Sequence, residues 1–171
     1  MDITISSATQ AHVPELVSLV NGAYRGEGSK AGWTTEADLL DGQRTDAQML
    51  SELLAKENNT ILIGTDETNR ILGCVYLQQT GAVMYLGMLT VQPKLQAQGI
   101  GRRLMAGAEK FATEKHCTSI EMTVISVRHE LIAWYNKLGY QPTGASKPFP
   151  PDSKFGIAKQ PLEFIVVSKT L

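Results

Sequence analysis

Between Val91 and Leu104 the chain reads Val-Gln-Pro-Lys-Leu-Gln-Ala-Gln-Gly-Ile-Gly-Arg-Arg-Leu, and no other stretch restricts the fold as much. A β-prone run from Ala82 to Val91 leads into it. An apolar stripe at helical spacing, Ile100, Leu104, Ala108 and Phe111, leads out of it. Pro93 stops strand pairing, and Gly99 and Gly101 let the backbone adopt unusual dihedrals and approach a ligand closely. The helix spans about Ile100 to Lys115, and Ser119 to Ile125 then read as a strand. Strand, helix and strand in that order imply a parallel, right-handed crossover. The first N–H groups of such a helix are open to an anion. Arg102 and Arg103 fall in its first turn, where each cation costs roughly 0.3–1 kcal/mol unless something negative offsets it. A plain turn with two solvated arginines would share the glycines. The full order of strand, Pro, Gln, Gly-x-Gly, paired Arg and amphipathic helix points instead to a phosphate.

The remaining periodicities supply partners for this unit. Ile3 and Ile5 alternate with polar residues, and Val13, Leu16, Val17, Val20 and Tyr24 recur as one helical face with Pro14 in its first turn. Gly26 to Gln43 are polar and Gly-rich and read as a long loop or short turns. Met49, Leu50, Leu53 and Leu54 make a second helical stripe. Thr60–Thr65, Ile71–Gln78 and Ala82–Val91 are three strands of an antiparallel meander. Arg128 to Leu138 form the last helix, with Leu131, Trp134, Tyr135 and Leu138 on one side and Gly139 as its stop. Tyr140 opens a strand, Ser146 to Pro161 read as a loop, and Leu162 to Val167 close the chain. The class is α/β of the α+β kind: a mixed, mostly antiparallel twisted sheet of about seven strands with about four helices.

Length and charge narrow the function. A chain of 171 residues suits one domain, residues 1–171. Net charge −1 provides no basic field for a nucleic acid, so any anion site is local. The two cysteines, Cys74 and Cys117, lie in apolar stretches without metal spacing and read as buried thiols, with no disulfide and no metal expected. No run is long enough to span a bilayer and the opening residues lack a signal-peptide layout, so the expectation is no membrane partner and a cytoplasmic protein.

With Gln96, Gly99 and Gly101 in this order behind a strand, the chain resembles the GNAT acetyltransferase family, and the resemblance covers Ile3 to Tyr140. It implies acetyl-CoA as co-substrate. It places the pyrophosphate on Gln96, Ala97, Gln98, Gly99, Ile100, Gly101, Arg102 and Arg103, and pairs the pantetheine arm with the backbone of Leu89, Thr90 and Val91. Tyr135 matches the family's tyrosine general acid. A phenol, pKa about 10, can protonate a thiolate whose conjugate acid lies near about 8.5. Tyr135 also fits the core stripe, and both roles can hold together. An oxyanion donor is implied near Leu89, where the family bulges its fourth strand; Gly87 is compatible with such a bulge.

Two positions depart from the family pattern. Gly87 stands where several members carry a strand glutamate, so a base must come from elsewhere, with Glu36, Asp38, Glu121 and Glu130 as candidates. Arg128 replaces an asparagine that touches pantetheine, leaving an acidic acceptor, a loop carboxylate or solvent as its partner. The loop with Arg25, Glu27, Trp33, Glu36, Asp38, Asp41 and Arg44 can receive a cationic amine by charge and cation–π contact. It equally fits a capped turn whose acids are neutralised by the two arginines. Lys147 to Pro151 could wall the other side or form a surface loop. Trp33, Glu36, Asp38 and Arg128 are therefore the acceptor-site candidates. The leading expectation is acetyl transfer to a primary amine of a small molecule. A catalytically silent CoA-binding or sensing module and a protein N-terminal or lysine acetyltransferase are the alternatives, and a homodimer is common in the family.

Overall fold

The computed structural model describes residues 2–24, 40–41, 45–148, 157–158 and 162–171. In chain order the elements are β1 (Thr4–Ser7), α1 (Val13–Tyr24), β2 (Leu40–Asp41), α2 (Ala47–Leu54), β3 (Asn59–Thr65), β4 (Ile71–Thr80), β5 (Val83–Val91), α3 (Ile100–Glu114), β6 (Ser119–Ile125), α4 (His129–Lys137), β7 (Gln141–Pro148), β8 (Ile157–Ala158) and β9 (Glu163–Thr170). Seven strands form one sheet in the order β1-β3-β4-β5-β6-β9-β7, and β2 pairs with β8 in a separate ladder. β3, β4 and β5 are the expected antiparallel meander, and β5 and β6 are parallel, as the crossover through α3 requires.

Alternation along the strands builds a core on each face. Val13, Leu16, Val20 and Leu50 of α1 and α2 meet Ile61, Ile63, Ile71 and Cys74 on one side. On the other, Ile100, Leu104, Met105, Ala108 and Ala112 of α3 meet Leu62, Leu72, Val75, Leu77, Met84, Leu86, Ile120, Met122 and Val124. Each fully buried aliphatic side chain contributes about 1.5–3 kcal/mol of transfer free energy. Gly73 brings α3 close to β4: a Cβ there would lie 2.6 Å from the Thr90 carbonyl oxygen and 2.9 Å from Leu104 Cδ1. Both cysteines are buried, Cys74 in the first core and Cys117 in the second.

Local chemistry sets the element ends. Asp46 caps α2 by accepting from the Met49 amide at 2.7 Å. Gly139, at φ +99°, ends α4. Two expectations need correction. Residues 146–161 do not all belong to a loop, because β7 continues to Pro148 and residues 157–158 pair with 40–41. The hydrogen-bonded ladder with β9 holds β7 extended although all eight of its residues are exposed and show no in-out alternation. Phe111 is only partly buried, and Met105 and Ala112 complete the inner face of α3. No helix among the described residues is long and apolar enough to cross a membrane.

Candidate functional site

The segment from β5 to α3 is held by its own side chains. Gln92 is pinned to β4, its amide to the Leu72 carbonyl and its Nε2 to the Ile71 carbonyl, each at 2.9 Å. After one 3-10 turn, Pro93–Leu95, Gln96 is extended and its Nε2 donates to the Val91 carbonyl at 3.3 Å. The Gln96 side chain thus closes the loop on the strand end. Ala97 and Gly99 both take left-handed dihedrals, φ +66° and +84°, and Ala97, Gln98 and Gly99 are exposed. Left-handed residues in such a turn swing successive N–H groups toward one concavity, the geometry of an anion nest. Gly99 is the N-cap of α3 with no side-chain cap, and no acid occupies the first turn. The first intrahelical bond runs from the Arg103 amide to the Gly99 carbonyl, 3.0 Å. The amides of Ile100, Gly101 and Arg102 precede it and lie at the positive end of the helix dipole. Arg102 and Arg103 are exposed. Arg103 Nη2 reaches the Ile3 carbonyl at 3.3 Å, so that arginine also ties the start of the chain to α3 rather than serving the expected anion alone.

Beside this loop the sheet opens. β5 and β6 pair only at Val83–Ser119, Met84–Ile120 and Tyr85–Glu121, then part, although β5 runs on to Val91 and β6 to Ile125. A bulge accompanies the parting. Tyr76 of β4 pairs with Gly87 and Cys74 with Thr90, so Val75 faces two residues, Met88 and Leu89. The positive φ of the bulge falls on Met88, at +53°, not on Gly87. A non-glycine residue held there costs about 1–2 kcal/mol, and such strain is concentrated at functional sites. The bulge inverts the alternation: Met84 and Leu86 face the α3 core, Met88 faces the α1 and α2 core, and Leu89 and Val91 pack again on the α3 side. Thr90 is buried, with its hydroxyl on the Met88 carbonyl at 2.9 Å.

α4 borders the same opening. A Cβ on Gly101 would lie 3.5 Å from the Trp134 ring and 3.6 Å from Val91, so the start of α3, the end of β5 and α4 converge. Tyr135 is 6% exposed and packs edge-on between Trp134 and Tyr140, at 5.2 and 6.1 Å. The packing role read from its stripe is therefore real. Arg128 is 5% exposed at the N-cap of α4, its amide on the Ile125 carbonyl at 3.0 Å. A guanidinium so buried is rarely left without polar partners. Among the candidate bases, Glu121 is half-buried on β6 and Glu130 is exposed in the first turn of α4. Trp33, Glu36 and Asp38 lie outside the described residues. Among the described residues, no three His, Cys, Asp or Glu side chains are grouped to hold a metal ion.

An uncapped helix start behind an exposed loop, set beside two parted strands, suits a long ligand with an anionic centre and a thin arm. Comparison with known proteins agrees in fold and family. None of the curated proteins matches the chain. Among solved structures, the ribosomal-protein-alanine N-acetyltransferase of Brucella melitensis is 20% identical with a TM-score of 0.73, covering 98% of this chain and 99% of that one. The ribosomal-protein-S18-alanine N-acetyltransferase of Escherichia coli is 16% identical with a TM-score of 0.72, covering 99% and 94%. The IAA acetyltransferase of Bacillus cereus is 15% identical with a TM-score of 0.69, covering 99% and 100%. At these identities the likeness is one of fold. The family model for the acetyltransferase (GNAT) domain matches residues 23–150, and the chain belongs to that acetyltransferase family.

Proposed function

We propose that the protein transfers the acetyl group of acetyl-CoA to a primary amine of a small molecule, with both bound together. The observation that carries this is the uncapped, Gly99-led start of α3 lying at the mouth of the gap between β5 and β6. The amides of Ile100, Gly101 and Arg102, with the outward loop at Ala97 to Gly99, hold the pyrophosphate, and the Arg102 guanidinium offsets its charge. The backbone of Leu89, Thr90 and Val91 lines the gap and aligns the pantetheine arm, and a backbone N–H near Leu89 steadies negative charge on the carbonyl oxygen. Acetyl-CoA supplies an acyl group activated as a thioester. When the amine nitrogen bonds to the acyl carbon and the carbon–sulfur bond breaks, the Tyr135 hydroxyl gives its proton to the departing sulfur, and the proton that the nitrogen loses returns through water to restore the phenol.

Residues 40–41 pair with residues 157–158 far along the chain, and this favours an enclosed acceptor over an open peptide groove. The names of two structural neighbours favour the other reading, a protein N-terminus as acceptor. Gly87, with no side chain where several members carry a glutamate, favours a silent CoA-binding module. Thiol release measured with acetyl-CoA against amino acids, polyamines, amino sugars and short peptides separates the three. Turnover with a small amine is the expected result. Turnover on peptides alone reassigns the acceptor, and acetyl-CoA binding without turnover on any amine overturns the transferase reading.

A further inference from the structure

The face of the gap remote from α3 carries a pair of hydroxyl groups. Tyr85, the last residue of β5 to pair with β6, places its hydroxyl 3.2 Å from Thr123 Oγ1 across the point where the strands part. Both residues are half-buried. Their strand neighbours Met84, Leu86, Met122 and Val124 all turn into the α3 core, so Tyr85 and Thr123 project from the opposite face. The phenol is well fixed. Its ring meets Tyr76 edge-on at 6.4 Å, and Tyr76 donates in turn to Asn59 Oδ1 at 3.1 Å. Burial, and then the neighbouring Tyr85, push the Tyr76 phenol above its ordinary value, so Tyr76 remains a donor and a wall.

Gly87 explains why the Tyr85 ring can lie there. A Cβ on Gly87 would be 3.2 Å from Tyr85 Cε1 and 3.5 Å from its hydroxyl oxygen. The space that a side chain at 87 would enter is filled by the Tyr85 phenol. We propose that the Tyr85–Thr123 hydroxyl pair positions the acceptor amine, taking the place on the strand that Gly87 leaves without a side chain. This rests on the transferase reading of the gap above. Of the two hydroxyls, one donates to the other, and the oxygen lone pairs that remain accept an N–H of the neutral amine. The nitrogen's own lone pair is thereby aimed at the gap. A hydroxyl pair carries no charge, so it holds an amine without favouring the ammonium form as strongly as a carboxylate in that place would. Glu121, opposite Tyr85 in the ladder and on the same face as Thr123, is the one carboxylate that these two strands bring beside it.

The test uses the full chain with Tyr85→Phe, Thr123→Val and the double variant, each close in shape to the original. Steady-state thiol release gives KM for the amine and kcat, and calorimetric titration gives the acetyl-CoA Kd. Each single variant should raise the amine KM about tenfold while the acetyl-CoA Kd stays within about twofold. The double variant should cost no more than the worse single, because either change dissolves the pair. Turnover by the unaltered protein with all three variants matching its KM overturns the pairing alone. A parallel rise in acetyl-CoA Kd assigns the hydroxyls to the donor and overturns it as well. If the unaltered protein releases no thiol with any amine, the transferase reading falls first and the pairing falls with it. Matched thermal unfolding of the variants checks that all of them fold.

Discussion

Gly99 and Gly81 form a matched pair for testing the cradle. Both hold left-handed dihedrals, φ +84° and +61°, and around a Cβ built on either there is no atom within 4 Å. Alanine at either position therefore meets no clash, only the backbone penalty of about 1–2 kcal/mol. For a chain of this size each kcal/mol lowers Tm by roughly 2–4 °C, so both variants should melt about 2–8 °C lower. Their binding should differ. Gly81 lies in the turn between β4 and β5, whereas Gly99 caps α3, next to the amides proposed to hold the pyrophosphate, where a new methyl would narrow the ligand's approach. Gly99→Ala should weaken acetyl-CoA by at least about tenfold, near 1.4 kcal/mol, and Gly81→Ala should leave it unchanged. Differential scanning calorimetry and titration calorimetry read the two quantities on the same samples. Equal Kd values for both variants, with the expected loss in Tm, would refute the placement of the anion at α3.

Three further outcomes are expected. Tyr135→Phe should lower kcat by about 10²-fold with little change in acetyl-CoA Kd; unchanged kcat reduces Tyr135 to the packing it shares with Trp134 and Tyr140. Gly73→Ala should destabilise by about 1–3 kcal/mol, because its Cβ would press on the Thr90 carbonyl and on Leu104, and a Tm equal to the parent's would contradict that crowding. Burial, then the Glu109 carboxylate and the hydrogen bond to it at 3.1 Å, raise the Tyr140 phenol far above its ordinary value. The folded chain holds that proton more tightly than the unfolded one, so the stability from it is complete below about pH 10 and is lost as pH rises beyond. Tyr140→Phe should flatten the alkaline fall of unfolding free energy measured in denaturant, and parallel slopes would contradict the assignment.

The elements most legible in the sequence are those with punctuation and period. Pro93, Gly99 and Gly101 mark the passage from β5 to α3, and the stripe from Ile100 to Ala108 marks the helix face. What escaped has no local signal. The left-handed dihedral of Ala97 and that of Met88 fall on residue types that seldom adopt it, and Gly87, the flagged position, is instead the regular partner of Tyr76. The two-residue strands at 40–41 and 157–158 are too short for any periodicity, and β7 carries Pro142, Gly144 and Pro148 with both faces exposed. Tyr85 and Thr123 stand 38 residues apart and meet only because two strands pair for three residues and then part. Arg128 was legible as a departure from the family pattern, while its burial belongs to the turn between β6 and α4.

The most direct test of the central claim is titration of the protein with acetyl-CoA and, in parallel, with acetyl-pantetheine, which lacks the pyrophosphate. Strong binding of the first that falls by orders of magnitude for the second is the result expected of an anion held at the start of α3. Equal binding of both, or of neither, would contradict it.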